Sequence, residues 1–169
     1  GFDLARAGMI TALAPLAGVI ASPVSGILSM KLGLRKPFLI GSGFLFILCA
    51  FGTFSINDIR IIHTAIIGLG ISMWVFFPMI FNVATELPDK SATQIAVVLS
   101  AGLFVGNLSS LGGPLLVGIT TDSLGTYIPS FTILALMPVL MIIASILIPE
   151  TGPRGITALP TTNQDRSMS

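Results

Sequence analysis

The sequence predicts an all-α, polytopic transmembrane helix bundle with five spans. The 169-residue chain is 53% hydrophobic and only 9% charged, whereas globular domains carry roughly 25% charged residues. Crossing the hydrocarbon core takes about 20 apolar residues, and a charge at the bilayer centre costs at least about 2.5 kcal/mol. Lys, Arg, Asp and Glu are absent from five runs of at least this length: residues 7–30, 37–57, 61–85, 91–121 and 123–149.

The spans and their short loops account for most of the chain and leave no room for a separate soluble domain. Residues 152–169 are polar and rich in Pro, Thr and Ser. They bury too little apolar surface to fold alone, so we expect a disordered tail. We expect residues 1–151 to form the helical bundle, with spans at about 8–30, 38–56, 61–85, 94–119 and 128–148.

The cations between the spans predict the orientation of the bundle. One side of the membrane receives Lys31, Arg35, Lys36, Lys90, Arg154 and Arg166, while the other side receives Arg6 and Arg60. The positive-inside rule places the more cationic side in the cytoplasm. We therefore expect an integral protein of the cell (plasma) membrane with a cytoplasmic C-terminal tail.

Polar atoms, prolines and glycines are distributed unevenly among the spans. The first span carries Gly18, Ser22 and Gly26 at four-residue spacing, which lets another helix pack closely. The third and fourth spans are also rich in such residues, whereas the second and fifth are plain. Since polar groups in hydrocarbon must find partners, we expect spans one, three and four to line an interior and the other two to face lipid.

Several classes of function lack the residues they need. The one histidine, His63, lies near the outer start of a span and is expected to be an interfacial residue, and the one cysteine is Cys49. No metal-ligand cluster, phosphate-binding glycine loop or basic nucleic-acid surface occurs in the sequence. We therefore expect no enzyme activity, no cofactor and no nucleic-acid partner; an intramembrane serine hydrolase is the alternative that these observations disfavour.

One loop carries a recognisable motif. Residues 26–37 read GILSMKLGLRKP and resemble the loop signature of the major facilitator superfamily, G-x-L-A/S-D-R/K-x-G-R-R/K. The residues that match by position are Gly26, Leu28, Ser29, Lys31, Gly33 and Arg35. Met30 stands where the family usually has aspartate, and Leu34 stands where it often has arginine. These two departures are typical of the degenerate copy in the C-terminal half of such transporters.

Other segments match the family in order and spacing. Gly68 and Gly70, followed by Pro78 and by Glu86-Leu-Pro, resemble the helix two spans after the loop. The glycine-rich stretch 106–118 with the turn at 122–127, and then Pro-Glu-Thr-Gly at 149–152, resemble the last two helices of a six-helix half.

The resemblance implies a secondary active or facilitated carrier that moves a small polar solute by alternating access. We expect the chain to be a fragment that supplies helices eight to twelve, because a short polar tail follows the fifth span. Helices two to six of the related N-terminal half remain an alternative, as does a truncated, non-transporting membrane subunit. The expected partners are a small-molecule solute, the lipid bilayer and the remaining helices of the same transporter.

The resemblance also places candidate site residues on spans one, three and four. Asn107 is the first candidate, since its amide can bind a solute as readily as it can bridge two helices. For Trp74, packing is the alternative to solute contact, and for the hydroxyl side chains bonding to their own helix is the alternative. The candidates for the substrate cavity are Asn107, Trp74, Ser72, Thr11 and Ser110, and the candidates for a conformational loop are Gly26, Lys31, Gly33 and Arg35.

Overall fold

The computed structural model describes residues 3–56, 58–86, 91–148 and 150–152. Within these residues the secondary structure is all-helical: α1 (Leu4–Leu32), α2 (Lys36–Ser55), α3 (Ile59–Thr85), α4 (Ala92–Leu124), α5 (Ile128–Leu136) and α6 (Pro138–Leu147). Over the same part of the chain, five helical segments are long and apolar enough to cross a membrane, with α5 and α6 together forming the fifth. Two regions that carry cations lie outside the described residues. They are the loop at 87–90, with Lys90, and residues 153–169 of the predicted polar tail, with Arg154 and Arg166.

Local sequence signals set the ends of the helices. Gly33 ends α1 in the left-handed conformation with φ 66°, and Gly125 ends α4 in the same way with φ 68°, a conformation that favours glycine. Ser91 and Gln94 form a reciprocal capping box at the start of α4. Asp58 accepts a hydrogen bond from the backbone N–H of Arg60 at the start of α3. These caps satisfy backbone groups that a helix end would otherwise leave unpaired.

The fifth predicted span is divided at Pro138. Met137, the residue between α5 and α6, keeps helical angles of φ −52° and ψ −37°. Proline removes one backbone donor and its ring crowds the preceding turn. These effects interrupt the hydrogen bonding of a helix, while the chain continues in helical conformation on both sides. The sequence predicted a single uninterrupted helix for this span.

Helix α3 lies at the centre of the packing. It contacts α1 along one side and α2 along another, and α2 in turn contacts α5 and α6. Leu39 of α2 packs with Met79 and Val83 of α3 in the main buried apolar cluster. The second span therefore makes extensive contacts within the chain, although its plain sequence predicted mainly lipid contact.

Helix α4 is the most exposed element. It contacts α3 and α5 only sparsely, and none of its residues 92–124, all of which are described, is buried. The sequence predicted that α4 lines an interior together with α1 and α3. Of these three helices, only α1 and α3 pack closely against each other within the described residues.

Two glycines explain how α1 and α3 approach each other. A Cβ at Gly70 would overlap the backbone carbonyl of Ala14, and a Cβ at Gly18 would overlap the ring of Trp74. Gly26, which shares the four-residue spacing with Gly18, has nothing within 4 Å of such a Cβ. The α1–α3 contact thus depends on one glycine from each helix.

Candidate functional site

A partly buried charge pair lies at the end of the bundle where α1 meets α2, which we call the Arg35 end. The side chain of Arg35 is 4% exposed and that of Glu86, just beyond α3, is 26% exposed. Arg35 donates from Nη2 to Oε1 of Glu86 over 2.5 Å and from Nε to Oε2 over 3.0 Å. Such a two-pronged contact uses the planar geometry of guanidinium and carboxylate and fixes their relative orientation.

The same guanidinium also binds α1. Its Nη1 donates to Oγ of Ser29 over 2.6 Å, and this hydroxyl donates to the carbonyl of Leu34 over 2.9 Å. The pKa of Arg35 is raised mainly by its hydrogen bond to Glu86; desolvation opposes this, and the charges of Glu86 and Glu150 add to it. Arg35 therefore stays charged at any physiological pH and joins the end of α1 to the end of α3.

Glu150 makes a second connection at this end. Its Oε1 accepts from the backbone N–H of Arg35 over 2.7 Å, and its Oε2 accepts from that of Lys36 over 3.1 Å. In return, Lys36 Nζ donates to the carbonyl of Ile146 in the last turn of α6 over 3.0 Å. The start of α2 and the end of α6 therefore cap one another. The carboxylate of Glu150 lies at the start of α2 and the ammonium of Lys36 lies at the end of α6, the charges that the two helix dipoles favour.

Two cavities lie between the helices, nearer the middle and the opposite end of the bundle. The first has a volume of about 480 Å³ and is lined by Phe46, Ala50, Thr53, Phe54, Leu69, Tyr127, Phe131, Leu134 and Ala135. The second has a volume of about 350 Å³ and is lined by Ala14, Pro15, Phe46, Leu69, Gly70, Met73 and Trp74. Since Phe46 and Leu69 line both, the two cavities are neighbours.

Three of the cavity candidates from the sequence bond within their own helices. Asn107 donates from Nδ2 to the carbonyl of Leu103 over 2.9 Å. Ser110 donates to the carbonyls of Gly106 and Asn107, and Thr11 donates to those of Ala7 and Gly8, all within 3.1 Å. Asn107, Ser110 and Thr11 are all exposed, and none of them lines either of the two cavities.

The other two cavity candidates lie on α3. Ser72 is 1% exposed, donates to the carbonyl of Leu69 over 2.8 Å, and lines a small cavity between α2 and α3 of about 210 Å³. Trp74 is 38% exposed and lines the 350 Å³ cavity next to Gly18 and Gly70. Trp74 is thus the candidate that the structure places on a cavity shared by several helices, while a role in binding stays a prediction for all five.

The four candidates of the conformational loop have different surroundings. Arg35 holds the charge pair, and Gly33 supplies the left-handed turn that brings it there. Lys31 is exposed in the last turn of α1, and Gly26 has open space beside it. The carboxylates that complete this cluster, Glu86 and Glu150, were not selected from the sequence. Their shared signal was available, since each lies at a span end on the same predicted side of the membrane as Arg35.

Fold and site together define the class of protein: a polytopic helical membrane protein with a charged cluster at one end and apolar cavities between its spans. A family model of the Major Facilitator Superfamily matches residues 1–167, and the chain belongs to this superfamily of membrane transporters. No curated protein and no solved structure gives a significant match to the chain.

Proposed function

We propose that the chain is part of a carrier that moves a small solute across the plasma membrane by alternating access. The observation that carries this proposal is the ion pair between the buried Arg35 and the partly exposed Glu86. It connects the loop after α1 to the end of α3 and, through Glu150, lies next to the α2–α6 contact. An ion pair of this kind has two discrete states, intact or separated, and so suits a contact that forms in one conformation and breaks in another.

The orientation of the bundle forms part of the proposal. The cation distribution places the Arg35 end in the cytoplasm, together with the C-terminal tail. Thr53, Phe54 and Tyr127 lie at the other end, because α2 runs from Lys36 to Ser55, a length of about 30 Å at 1.5 Å per residue. The charged cluster then closes the cytoplasmic end while the larger cavity lies toward the outside.

We further propose that the five spans correspond to helices eight to twelve of a twelve-helix carrier, with helices two to six as the alternative. The support is the loop at 26–37, which has Met30 and Leu34 in place of two charged residues of the signature. Glu86 and Glu150 here contact Arg35 and its neighbour, so a charge cluster forms at this loop without an aspartate at position 30.

The described residues constrain the chemical nature of the solute less than they constrain the helical architecture. The family resemblance implied a small polar solute. The polar candidates for its site all bond to carbonyls of their own helices: Asn107, Ser72, Thr11 and Ser110. These bonds leave the side chains free to exchange partners but provide no preformed polar site. Trp74, by contrast, already lines a cavity.

Reciprocal thiol labelling tests alternating access without knowledge of the solute. In a Cys49→Ser background, one variant carries Ser25→Cys, at a buried position near the cytoplasmic end of α1, and another carries Thr53→Cys, on the wall of the outer cavity. Adding Arg35→Gln should speed labelling of position 25 by a membrane-impermeant maleimide and slow labelling of position 53. The measurement is the labelling rate in native membrane vesicles of both orientations.

The controls separate a conformational switch from general loosening. Arg60→Gln makes the same chemical change at an exposed position at the opposite end and should leave both rates unchanged. If Arg35→Gln speeds labelling at both ends, the charge pair is only a structural brace. If it changes neither rate, the pair does not control access and the proposal is wrong.

A further inference from the structure

The two neighbouring cavities are lined mainly by apolar side chains. Among the described residues that line them, only Thr53 and Tyr127 carry a hydroxyl, Trp74 carries an indole N–H, and none is charged. The hydroxyl of Thr53 already donates to the carbonyl of Cys49 over 2.9 Å. A charged ligand would lose its hydration here without gaining a partner, a cost of several kcal/mol or more.

The cavities extend from one end of the bundle toward its middle. Tyr127 and Phe54 lie at the outer end, and Phe131 packs on both, with ring centroids 5.7 Å and 6.2 Å apart. Leu69 lies ten residues into α3, about 15 Å from the start of this helix, and Trp74 lies about 22 Å from it. Phe46 and Leu69 line both cavities, so rotation of these two side chains would join them.

The dimensions and the lining match those of a small-molecule site. Ligand pockets typically occupy roughly 300–1,000 Å³ and have mainly apolar and aromatic walls with few polar groups. Each cavity falls in this range, at about 480 Å³ and about 350 Å³. Four aromatic rings line the larger cavity and the indole of Trp74 lines the smaller one, so planar apolar compounds gain ring contacts that a flexible chain does not.

We propose that these cavities bind a small, uncharged compound with an aromatic, planar body, which enters at the Tyr127 end and reaches Trp74 past Phe46 and Leu69. As a statement about the transported solute, the inference rests on the proposed transport function. As a statement about binding, it stands on the cavities alone and is tested without transport, so the two can fail separately.

Trp74 is the only tryptophan in the chain and serves as the reporter. The protein is reconstituted in phosphatidylcholine vesicles and titrated with N-phenyl-1-naphthylamine, an uncharged aromatic probe that accepts energy from tryptophan. The expected result is saturable energy transfer from Trp74 on top of the linear part caused by probe dissolved in the lipid. Leu69→Phe should fill the shared wall and raise the half-saturation concentration about tenfold, because overpacking excludes the ligand.

The matched control is Leu48→Phe, the same substitution at a lipid-exposed position of α2, which is 72% exposed and lines neither cavity. It should leave the half-saturation concentration unchanged. Ala135→Phe fills the larger cavity from α5 and gives an independent second variant if Leu69→Phe lowers the yield of folded protein. Transfer that is linear and equal in all variants would overturn the proposal.

A second arm distinguishes a dissolved compound from a lipid acyl chain. The titration is repeated in vesicles whose acyl chains carry bromine, a short-range quencher of tryptophan. Leu69→Phe should reduce any quenching of Trp74 by brominated chains that occupy the cavities. We expect the bound probe to reduce that quenching in the same way, because it displaces the chains. If Leu69→Phe relieves quenching but the probe neither saturates nor competes, the cavities hold lipid chains and the proposed ligand class is wrong.

Discussion

Arg35 and Glu86, which lie 51 positions apart in the sequence, meet through two hydrogen bonds of 2.5 Å and 3.0 Å. Arg35 lies in the short loop between α1 and α2, and Glu86 lies directly after α3. The pair therefore joins the end of α3 to the loop that connects α1 and α2, the two helices on which α3 packs. The side chain of Arg35 is almost fully buried and that of Glu86 is partly buried, so the loss of either partner leaves an unpaired charge with reduced access to water.

The first prediction concerns the energy of this pair. Arg35→Gln and Glu86→Gln should each lower the free energy of unfolding by about 3 kcal/mol, since each leaves one buried or half-buried charge alone. The double variant should be less destabilised than the sum of the single variants, and the difference measures the coupling. The measurement is unfolding by dodecyl sulfate in mixed micelles, followed by circular dichroism. Additive losses would show that the two side chains do not interact in the folded protein.

The second prediction concerns the pH dependence of the same contact. When folding raises the pKa of a basic group, the charged group adds stability at any pH below its unfolded pKa. This stability is lost only as the pH rises through the folded pKa. The hydrogen bond that Arg35 donates to Glu86 moves the pKa of Arg35 further above its already alkaline value. The stability difference between the unchanged protein and Arg35→Gln should therefore stay constant from about pH 7 to about pH 10. A difference that shrinks over this range would mean that another titrating group dominates the contact.

The third prediction addresses the reciprocal caps of α2 and α6. Glu150→Gln should cost about 1 kcal/mol of stability, because a neutral amide offers one acceptor in place of two and removes the charge that the start of α2 favours. Asp122→Asn is the matched acid-to-amide control, at an exposed position in α4. It should be neutral within about 0.5 kcal/mol. Equal effects of the two substitutions would refute the cap.

The helical architecture was predictable because it follows from the composition of long segments. Exclusion of charge from runs of twenty or more residues has one main physical cause, the cost of placing ions in hydrocarbon. The helix ends at Gly33 and Gly125 follow from local chemistry as well. The interruption at Met137–Pro138 was not predicted, since a proline can bend, break or merely start a helix depending on what packs around it.

The site was predicted less completely, and for a different reason. Arg35 was found because its loop resembles a known motif, whereas Glu86 and Glu150 are distant in sequence and meet Arg35 only through the packing of α1, α3 and α6. The polar residues of α4 attracted attention because amides and hydroxyls are unusual in a span. Backbone carbonyls of the same helix satisfy them, an outcome that sequence alone does not distinguish from ligand binding.

The last prediction concerns the α1–α3 contact. Gly70→Ala should destabilise the protein strongly, because the new methyl group would overlap the backbone carbonyl of Ala14, which a side-chain rotation cannot relieve. Gly106→Ala, on the exposed face of α4, has nothing within 4 Å and should be neutral or slightly stabilising. Both substitutions add the same methyl group and the same helix propensity, so their difference isolates the close approach of the two helices.

The measurement for this prediction is the unfolding midpoint in mixed micelles together with the emission maximum of Trp74. Because Trp74 packs against Gly18 on the same face of α3 as Gly70, separation of α1 from α3 should also change the environment of the indole ring. A loss of stability of about 1–3 kcal/mol with an emission shift in Gly70→Ala, and neither change in Gly106→Ala, is the expected pattern. Equal stability of the two variants would show that α1 and α3 lie farther apart than described, and the cavity beside Trp74 would then have no wall on its α1 side.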